Sequence, residues 1–273
     1  MTRHPPPDTV IDAFGLRGRN IEPLAGGQGV AWRAGNMVLK PCHDPAETEW
    51  LSTVLEVLKE DGFRIARPQR SHGRKFVVAG WCASSWVEGS ASIVGRWCDA
   101  IDACRAFHRA TTHISVPHAI LQSNNPYRLC DRAAWMEQQC GEENDLGAGG
   151  ASLLALRKPL NLPAQLIQGD PSEGNILFTE NAPPAIIDIA PYQRPAEYSI
   201  AMLLADGVAW SGAPIDLVRK ELKRRHFDQL LVRAILFRLY VARLIQRSAA
   251  GVERRLAAYA PVIEEVRAAV DAS

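Results

Sequence analysis

The sequence predicts an α+β fold of two unequal lobes, a small antiparallel-sheet N-lobe with one helix followed by a mostly helical C-lobe. Three observations carry that expectation. Short apolar runs broken by turn residues fill the first part of the chain, the texture changes after Gly89, and from Ala196 onward apolar residues recur at helical spacing almost without interruption. The expected domains are therefore 1–88 and 89–273, joined near residues 85–90.

The elements follow in order. "HPPP" (4–7) is a stiff lead-in. Residues 21–40, "IEPLAGGQGVAWRAGNMVLK", read as short strands separated first by a glycine-rich turn and then by Ala34-Gly35-Asn36 as a hairpin turn. A helix begins near Asp44, where Asp44 and Glu47 form a D-x-x-E capping box and Pro45 suits the first helical position. Trp50, Leu51, Val54 and Leu58 are its apolar stripe. A second strand pair brackets "SHGR" (71–74), its later strand running through "KFVVAGWCASSWVEG". Beyond Gly89, helices are expected over 92–113, about 131–140 and 151–158. "AQLIQ" and "PAIIDI" suit small buried strands, and helices follow over 196–209, 214–225, 227–248 and 252–271.

At 273 residues, with 47% hydrophobic and 22% charged residues, the chain has the composition of a globular enzyme. A formal charge of +1 gives no electrostatic case for nucleic acid or an anionic membrane. The basic run "RKELKRRH" (219–226) has the spacing of a solvated helix face. There is no apolar segment long enough for a membrane span and no h-region in "MTRHPPPDTV", so a cytoplasmic protein is expected. The six cysteines (42, 82, 98, 104, 130, 140) lack metal-site spacing and read as reduced thiols.

Four features occur in one order: a glycine-rich turn, a strand lysine, a D-x-x-x-x-N loop and a strand-terminal aspartate. Each alone is weak, but together they describe a phosphoryl-transfer site. In "AGGQG" (25–29), Gly26, Gly27 and Gly29 would let backbone N–H groups approach phosphate oxygens where a Cβ would interfere. The same segment also suits a plain hairpin, and it lacks the G-K-[ST] tail of a Walker loop. Lys40 ends "NMVLK"; only six of the 31 basic residues are lysines. A buried ammonium needs a partner, and two acids compete for it. Glu47 shares a helix face with Leu51, Val54 and Leu58 and is the expected partner, although the capping box gives it a second task. Glu49 shares a face with Thr53, Glu56 and Glu60 that reads as solvated.

In "QGDPSEGN", Asp170 could accept the proton of a substrate hydroxyl, and Asn175 could give Mg²⁺ a neutral oxygen ligand. The same two residues could equally cap their own backbone in an Asx turn. Asp188 tips the balance. A carboxylate behind the apolar run 185–187 would be costly to bury without a cation. Asn175 and Asp188 on adjacent short strands would make a two-ligand Mg²⁺ site completed by phosphates.

These motifs resemble those of the aminoglycoside phosphotransferase and choline kinase-like family, which has the protein-kinase-like fold, over roughly residues 20 to 250. The family pattern H-G-D-x-x-x-x-N, then a hydrophobic strand ending in I-D, is met by "QGDPSEGNILF" and "AIIDI". "DACRAFHRAT" (102–111) resembles the family helix ending in L-H-x-A, "WVEG" (86–89) its hinge, and "GFRIARP" (62–68) its G-x-x-V-P segment. The resemblance implies that residues 1–88 bind the nucleotide and that 89–273 carry the catalytic loop and acceptor site. It implies ATP phosphates on Lys40 and the glycine turn, with Gly27 and Gly29 in it, and Glu47 as the anchor of Lys40. It further implies backbone groups of Ser85 and Val87 on the adenine edge, Asp170 as base, and Asn175 and Asp188 as Mg²⁺ ligands.

Three positions depart from the family pattern: Gln168 replaces the His of H-G-D, Ser172 a His, and Ser199 the Asp that opens a D-L-A helix. The expected function is transfer of the ATP γ-phosphate to an alcohol of a small metabolite or aminoglycoside-like acceptor. No nucleic acid, membrane or obligate protein partner is expected. The alternative, prompted by Gln168 and Ser199, is an inactive nucleotide-binding pseudokinase with a regulatory role. Glu142, Glu143, Asp145, Asp206 and Asp228 are candidates for an acidic acceptor pocket, with Trp135 and Trp210 as possible lining.

Overall fold

Two distant stretches of sequence, Met1–Ser92 and Gly174–Asp188, build the first of two units; Ile93–Glu173 and Ile189–Ser273 build the second. The computed structural model describes residues 4–25, 29–137 and 146–271. The first unit takes in 174–188, a stretch that a simple division near residue 88 would leave with the helical part.

In chain order the first unit begins with α1 (Asp8–Ala13), β1 (Ile21–Pro23), β2 (Trp32–Ala34), β3 (Met37–Pro41) and α2 (Pro45–Val57). It continues with β4 (Arg64–Ile65), β5 (Pro68–Gln69), β6 (Val77–Val78) and β7 (Trp81–Ser85). The chain then enters the second unit for α3 (Trp97–Ala110), α4 (His118–Leu121), α5 (Pro126–Ala134), α6 (Gly147–Ala155) and β8 (Gln165–Gln168). It returns for β9 (Ile176–Leu177) and β10 (Ala185–Ile186). Last come β11 (Pro191–Arg194), α7 (Ala196–Trp210), α8 (Ile215–Leu222), α9 (Phe227–Tyr240), a π turn over Val241–Ile245, and α10 (Ala249–Asp271).

The main sheet of the first unit is antiparallel in the order β1-β2-β3-β7-β5, with β6 also on β7. Its buried residues Ala34, Leu39, Trp81 and Ala83 pack with Val10, Phe14 and Leu16 of α1 and the turn after it. That helix is absent from the sequence expectation: at six residues its stability comes from this packing rather than from its own propensity. Helix α2 starts where the capping box puts it, with Asp44 Oδ1 accepting from the Glu47 N–H at 3.0 Å and Pro45 in the first turn. A smaller sheet holds 174–188 to this unit, β10 running parallel to β4 and antiparallel to β9. Ser90 and Phe178 exchange backbone hydrogen bonds of 2.9 and 2.8 Å beside it. A Cβ on Gly89 would stand 2.8 Å from that of Leu177, so the close approach there needs glycine.

Helix α9 is the core of the second unit, buried around almost its whole circumference and packed on α5, α7 and α10. The single helix expected over 227–248 is instead α9 followed by the π turn, and Arg247 in the left-handed region ends it. The strand β11, "PYQR", has no strand-like alternation in its sequence; it forms by pairing antiparallel with β8, Pro191 opposite Gln168. Among the described residues no helix is long and apolar enough to cross a membrane, and all five described cysteines are free thiols.

Candidate active site

In the first unit Lys40 leaves the central strand β3 and its ammonium lies 2.7 Å from Asp188 Oδ1. The Lys40 side chain is 28% exposed and that of Asp188 57%. Asp188 is thus not the buried carboxylate that the apolar run suggested. Burial ends with Ile186, and the backbone turns into the left-handed region at Asp188 (φ 53°), a conformation that aspartate tolerates better than most residues. Asn175 is brought beside this turn by the β9–β10 pairing, its carbonyl accepting from the Ile187 N–H at 2.9 Å. A carboxylate and an amide side chain one register step apart are oxygen donors suited to a hard divalent cation.

Glu47 lies in the first turn of α2, half-buried. Glu49, which the sequence pattern assigns to a solvated face, instead accepts from the backbone N–H groups of Phe76 and Val77 at 3.1 and 2.9 Å. Its carboxylate ties the hairpin before β6 to the helix, a task that a helical wheel cannot reveal because both donors are distant in sequence. Gly29 has φ 69° and open space around the position a Cβ would take. Gly27 lies outside the described residues. At the end of β7, Ser85 donates its backbone N–H to Arg67 O at 2.8 Å, and its Oγ accepts from the Arg67 N–H at 2.9 Å. Val87 follows, half-buried, beyond the end of β7.

In the second unit Asp170 follows β8 and Gly169, its side chain 41% exposed. Three fixtures support the loop. A Cβ on Gly169 would fall within the ring of Tyr192, so only glycine lets the loop pass under that side chain, and the Gly169 N–H donates to Ala190 O at 2.7 Å. The fully buried Gln168 accepts at Oε1 from the backbone N–H groups of Ala190 and Asp170, at 2.8 and 3.3 Å. His108, on α3, accepts at Nε2 from the Gln168 N–H at 3.3 Å, which makes it the Nδ1–H tautomer. Burial, with Arg105 adding to it, lowers the His108 imidazole to about 3, so it stays neutral. Gln168 therefore acts as a loop support in the place of the family's histidine. Ser199 is fully buried on α7.

A fourth support, made on the Asp170 side chain, is absent from the sequence expectation. Arg238, from α9, donates through Nη2 to Asp170 Oδ1 at 2.8 Å and to Asp206 Oδ2 at 2.6 Å. Its Nε reaches Asp206 Oδ2 at 2.9 Å, and Tyr259 Oη donates to Asp206 Oδ1 at 2.6 Å. Trp210 Nε1 donates in turn to Tyr259 Oη at 3.3 Å, and Trp210 is 52% exposed. The available signal was an arginine inside the apolar run "LLVRAILFRLY", where a charge must be paired.

Of the acceptor-pocket acids, Glu142, Glu143 and Asp145 lie outside the described residues. Asp206 is taken by Arg238 and Tyr259, and Asp228 accepts from Gln229 Nε2 at 3.1 Å. The guanidinium groups of Arg194 and Arg233 lie over the Trp135 ring, 4.7 and 5.0 Å from its centroid, and the ring packs edge-on against Tyr198.

An antiparallel sheet unit carrying a strand lysine, Asn175 and Asp188, and a helical unit carrying Asp170, define the class: the chain has the protein-kinase-like fold. No family model and no curated protein matches it. Solved structures do. It is 13% identical to the amicoumacin kinase hAmiN, solved in complex with AMP-PNP, Ca²⁺ and Ami, over 97% of this chain and 92% of that one, with a TM-score of 0.62. It is 12% identical to a thermostable mutant of aminoglycoside phosphotransferase APH(4)-Ia, over 96% and 98%, TM-score 0.60. A choline/ethanolamine kinase family protein from Mesorhizobium loti is 16% identical, over 95% and 94%, TM-score 0.56. At such identities the likeness establishes the fold.

Proposed function

We propose that the chain is a small-molecule kinase that uses ATP and Mg²⁺ to phosphorylate an alcohol group. The observation that carries the reading is the set of Lys40, Asp188 and Asn175, with the lysine 2.7 Å from Asp188 and Asn175 one register step from it. In this reading Asn175 and Asp188 hold Mg²⁺, which when bound neutralises phosphate charge. Lys40 exchanges Asp188 for phosphate oxygens, and Glu47 anchors it; Glu49 already spends Oε1 on the N–H groups of Phe76 and Val77. Gly27 and Gly29 admit the phosphates, and Ser85 and Val87 offer backbone groups to the adenine. Asp170 orients the acceptor hydroxyl and takes its proton as the oxygen attacks the γ-phosphorus and the bond to the ADP oxygen breaks. Kinases of antibiotics and of choline or ethanolamine among the fold neighbours support the reading.

The support that Gln168 gives the loop speaks against the pseudokinase alternative, because the substitution keeps an acceptor where the loop needs one. The test is Mg²⁺-dependent ADP release with a panel of metabolite alcohols and aminoglycosides. Acceptor-dependent turnover that Asp170→Ala abolishes is the expected result. If ATP binds but wild type and Asp170→Ala are equally inert with every acceptor, the pseudokinase reading replaces it. If Mg-ATP gives no thermal shift at all, both readings fail.

A further inference from the structure

Asp170 does not stand alone in its unit. One guanidinium nitrogen, Arg238 Nη2, bridges Asp170 Oδ1 and Asp206 Oδ2, while Nε returns to Asp206. The planar fork is thus spent on two carboxylates at once, an arrangement that a lysine could not copy. Arg238 is the more buried partner, 18% exposed against 41% for Asp170. Both acids hold the arginine charged, well above its ordinary range, against the cost of burial. Asp206 is fixed from its other side by Tyr259, which is itself buried on α10. A run of fixed groups therefore passes from α10 through α7 and α9 to the one half-exposed carboxylate at its end.

We infer that Arg238 is a positioning residue for Asp170, held in place by Asp206 and Tyr259, and that it sets the orientation in which Asp170 meets the acceptor hydroxyl. The inference rests on the kinase reading and deepens it. With Oδ1 held by the guanidinium, the carboxylate cannot swing about its Cβ–Cγ bond without breaking a charge-assisted hydrogen bond. Removing Arg238 would also leave Asp170 and Asp206 as two facing carboxylates, which repel and drive Asp170 from its working geometry. A displaced base costs turnover rather than nucleotide affinity, because the hydrogen bonds of Arg238 run to Asp170 and Asp206.

The test uses the full chain and the best acceptor from the panel, with steady-state kinetics of wild type, Arg238→Met, Arg238→Lys and Tyr259→Phe. Arg238→Met is expected to lower kcat about 10²-fold, the scale of a base displaced by about an ångström, with the KM for ATP unchanged. Added guanidinium ion should restore part of that kcat, since a half-exposed Asp170 leaves the vacated site reachable. Arg238→Lys should recover less than guanidinium does, and Tyr259→Phe should lower kcat severalfold. A folded Arg238→Met with wild-type kcat overturns the inference. So does a variant whose kcat and KM for ATP worsen together with no response to guanidinium, the signature of a merely structural role. If Arg238→Met does not fold, unchanged kcat in both Arg238→Lys and Tyr259→Phe overturns it. A wild type that is inert with every acceptor overturns the kinase reading, and positioning with it; an active wild type beside equally active variants overturns the positioning alone.

Discussion

Asp188 and Asp170 are each tied to a cation, yet the two ties are of different kinds. In the first unit, Asp188 meets Lys40 in an ion pair that is more than half open on the acid side. In the second, Asp170 meets an arginine that is itself braced by Asp206 and Tyr259, on a loop seated over Gly169, Gln168 and His108. An exposed pair contributes little, and under the kinase reading it is the one exchanged for phosphate and metal. A braced one, with its arginine less exposed, is part of the fold. The first unit thus holds its charges replaceably, and the second holds its carboxylate fixed. Substitutions should cost stability in the second unit and spare it in the first.

The sharpest way to break this contrast is Gly169→Ala. The added methyl would occupy the Tyr192 ring, and Tyr192 is buried between β8 and α9. Neither the ring nor the loop backbone has room to retreat, so a loss of about 3 kcal/mol or more, the upper end of overpacking, is expected. Urea unfolding measures it. A near-neutral Gly169→Ala would show that the loop is not seated as described.

Next in size is the response to acid. His108 is held neutral, at about 3 against an ordinary 6.5, chiefly by burial. Its folded value is depressed, so its contribution is fully present above pH 6.5 and is lost as pH falls and the unfolded chain takes up the proton. The loss should be roughly 1.4 kcal/mol per pH unit between 6.5 and 3. His108→Gln keeps an acceptor for the Gln168 N–H but cannot titrate there. Urea midpoints between pH 7 and pH 4.5 should therefore fall more shallowly in the variant; equal slopes would mean that His108 is not the buried neutral group supporting this loop.

Much of this platform can be read from residues close in sequence, and its bracing cannot. The capping box at Asp44, the runs that become β8 and β10, and the loop from Gln168 to Asn175 are local patterns whose physics is complete within a few residues. Strand β11 escapes because its pairing with β8, rather than its own residues, makes it a strand. Glu49 looks solvated on a helical wheel because its two donors lie 27 and 28 residues away. Arg238 is invisible for the same reason, its partners Asp170 and Asp206 being 68 and 32 residues distant. Asp188 misleads in the other direction: its neighbours Ala185 and Ile186 are buried as their composition implies, but a left-handed turn carries the carboxylate out.

A smaller loss separates support from chemistry within the same loop. Gln168→Leu keeps the volume of a fully buried side chain while leaving the N–H groups of Asp170 and Ala190 without their acceptor. Unmet buried donors cost about 1–3 kcal/mol each, and the longer Asp170 contact should contribute least, so a loss of roughly 2 kcal/mol is expected. Gln168→His tests whether the residue of the family pattern can take over; it should retain most of the stability that Gln168→Leu loses. If Gln168→Leu melts with the wild type, the support runs through Gly169, His108 and Arg238 instead.

The smallest stability effect, and the one on which the contrast depends, belongs to Lys40→Met. The pair with Asp188 is solvent-screened on one side, so its removal should shift unfolding by less than about 1 kcal/mol. Methionine preserves most of the aliphatic stem, which removes lost packing as a confounding cause. The same variant should lose most of the thermal stabilisation that Mg-ATP gives the wild type, because the charge meant for the phosphates is gone. Small cost with lost nucleotide response is what a replaceable charge requires. A loss near 2 kcal/mol would instead make the Lys40–Asp188 pair a structural bond like that of Arg238, and the two units would no longer differ in how they hold their acids.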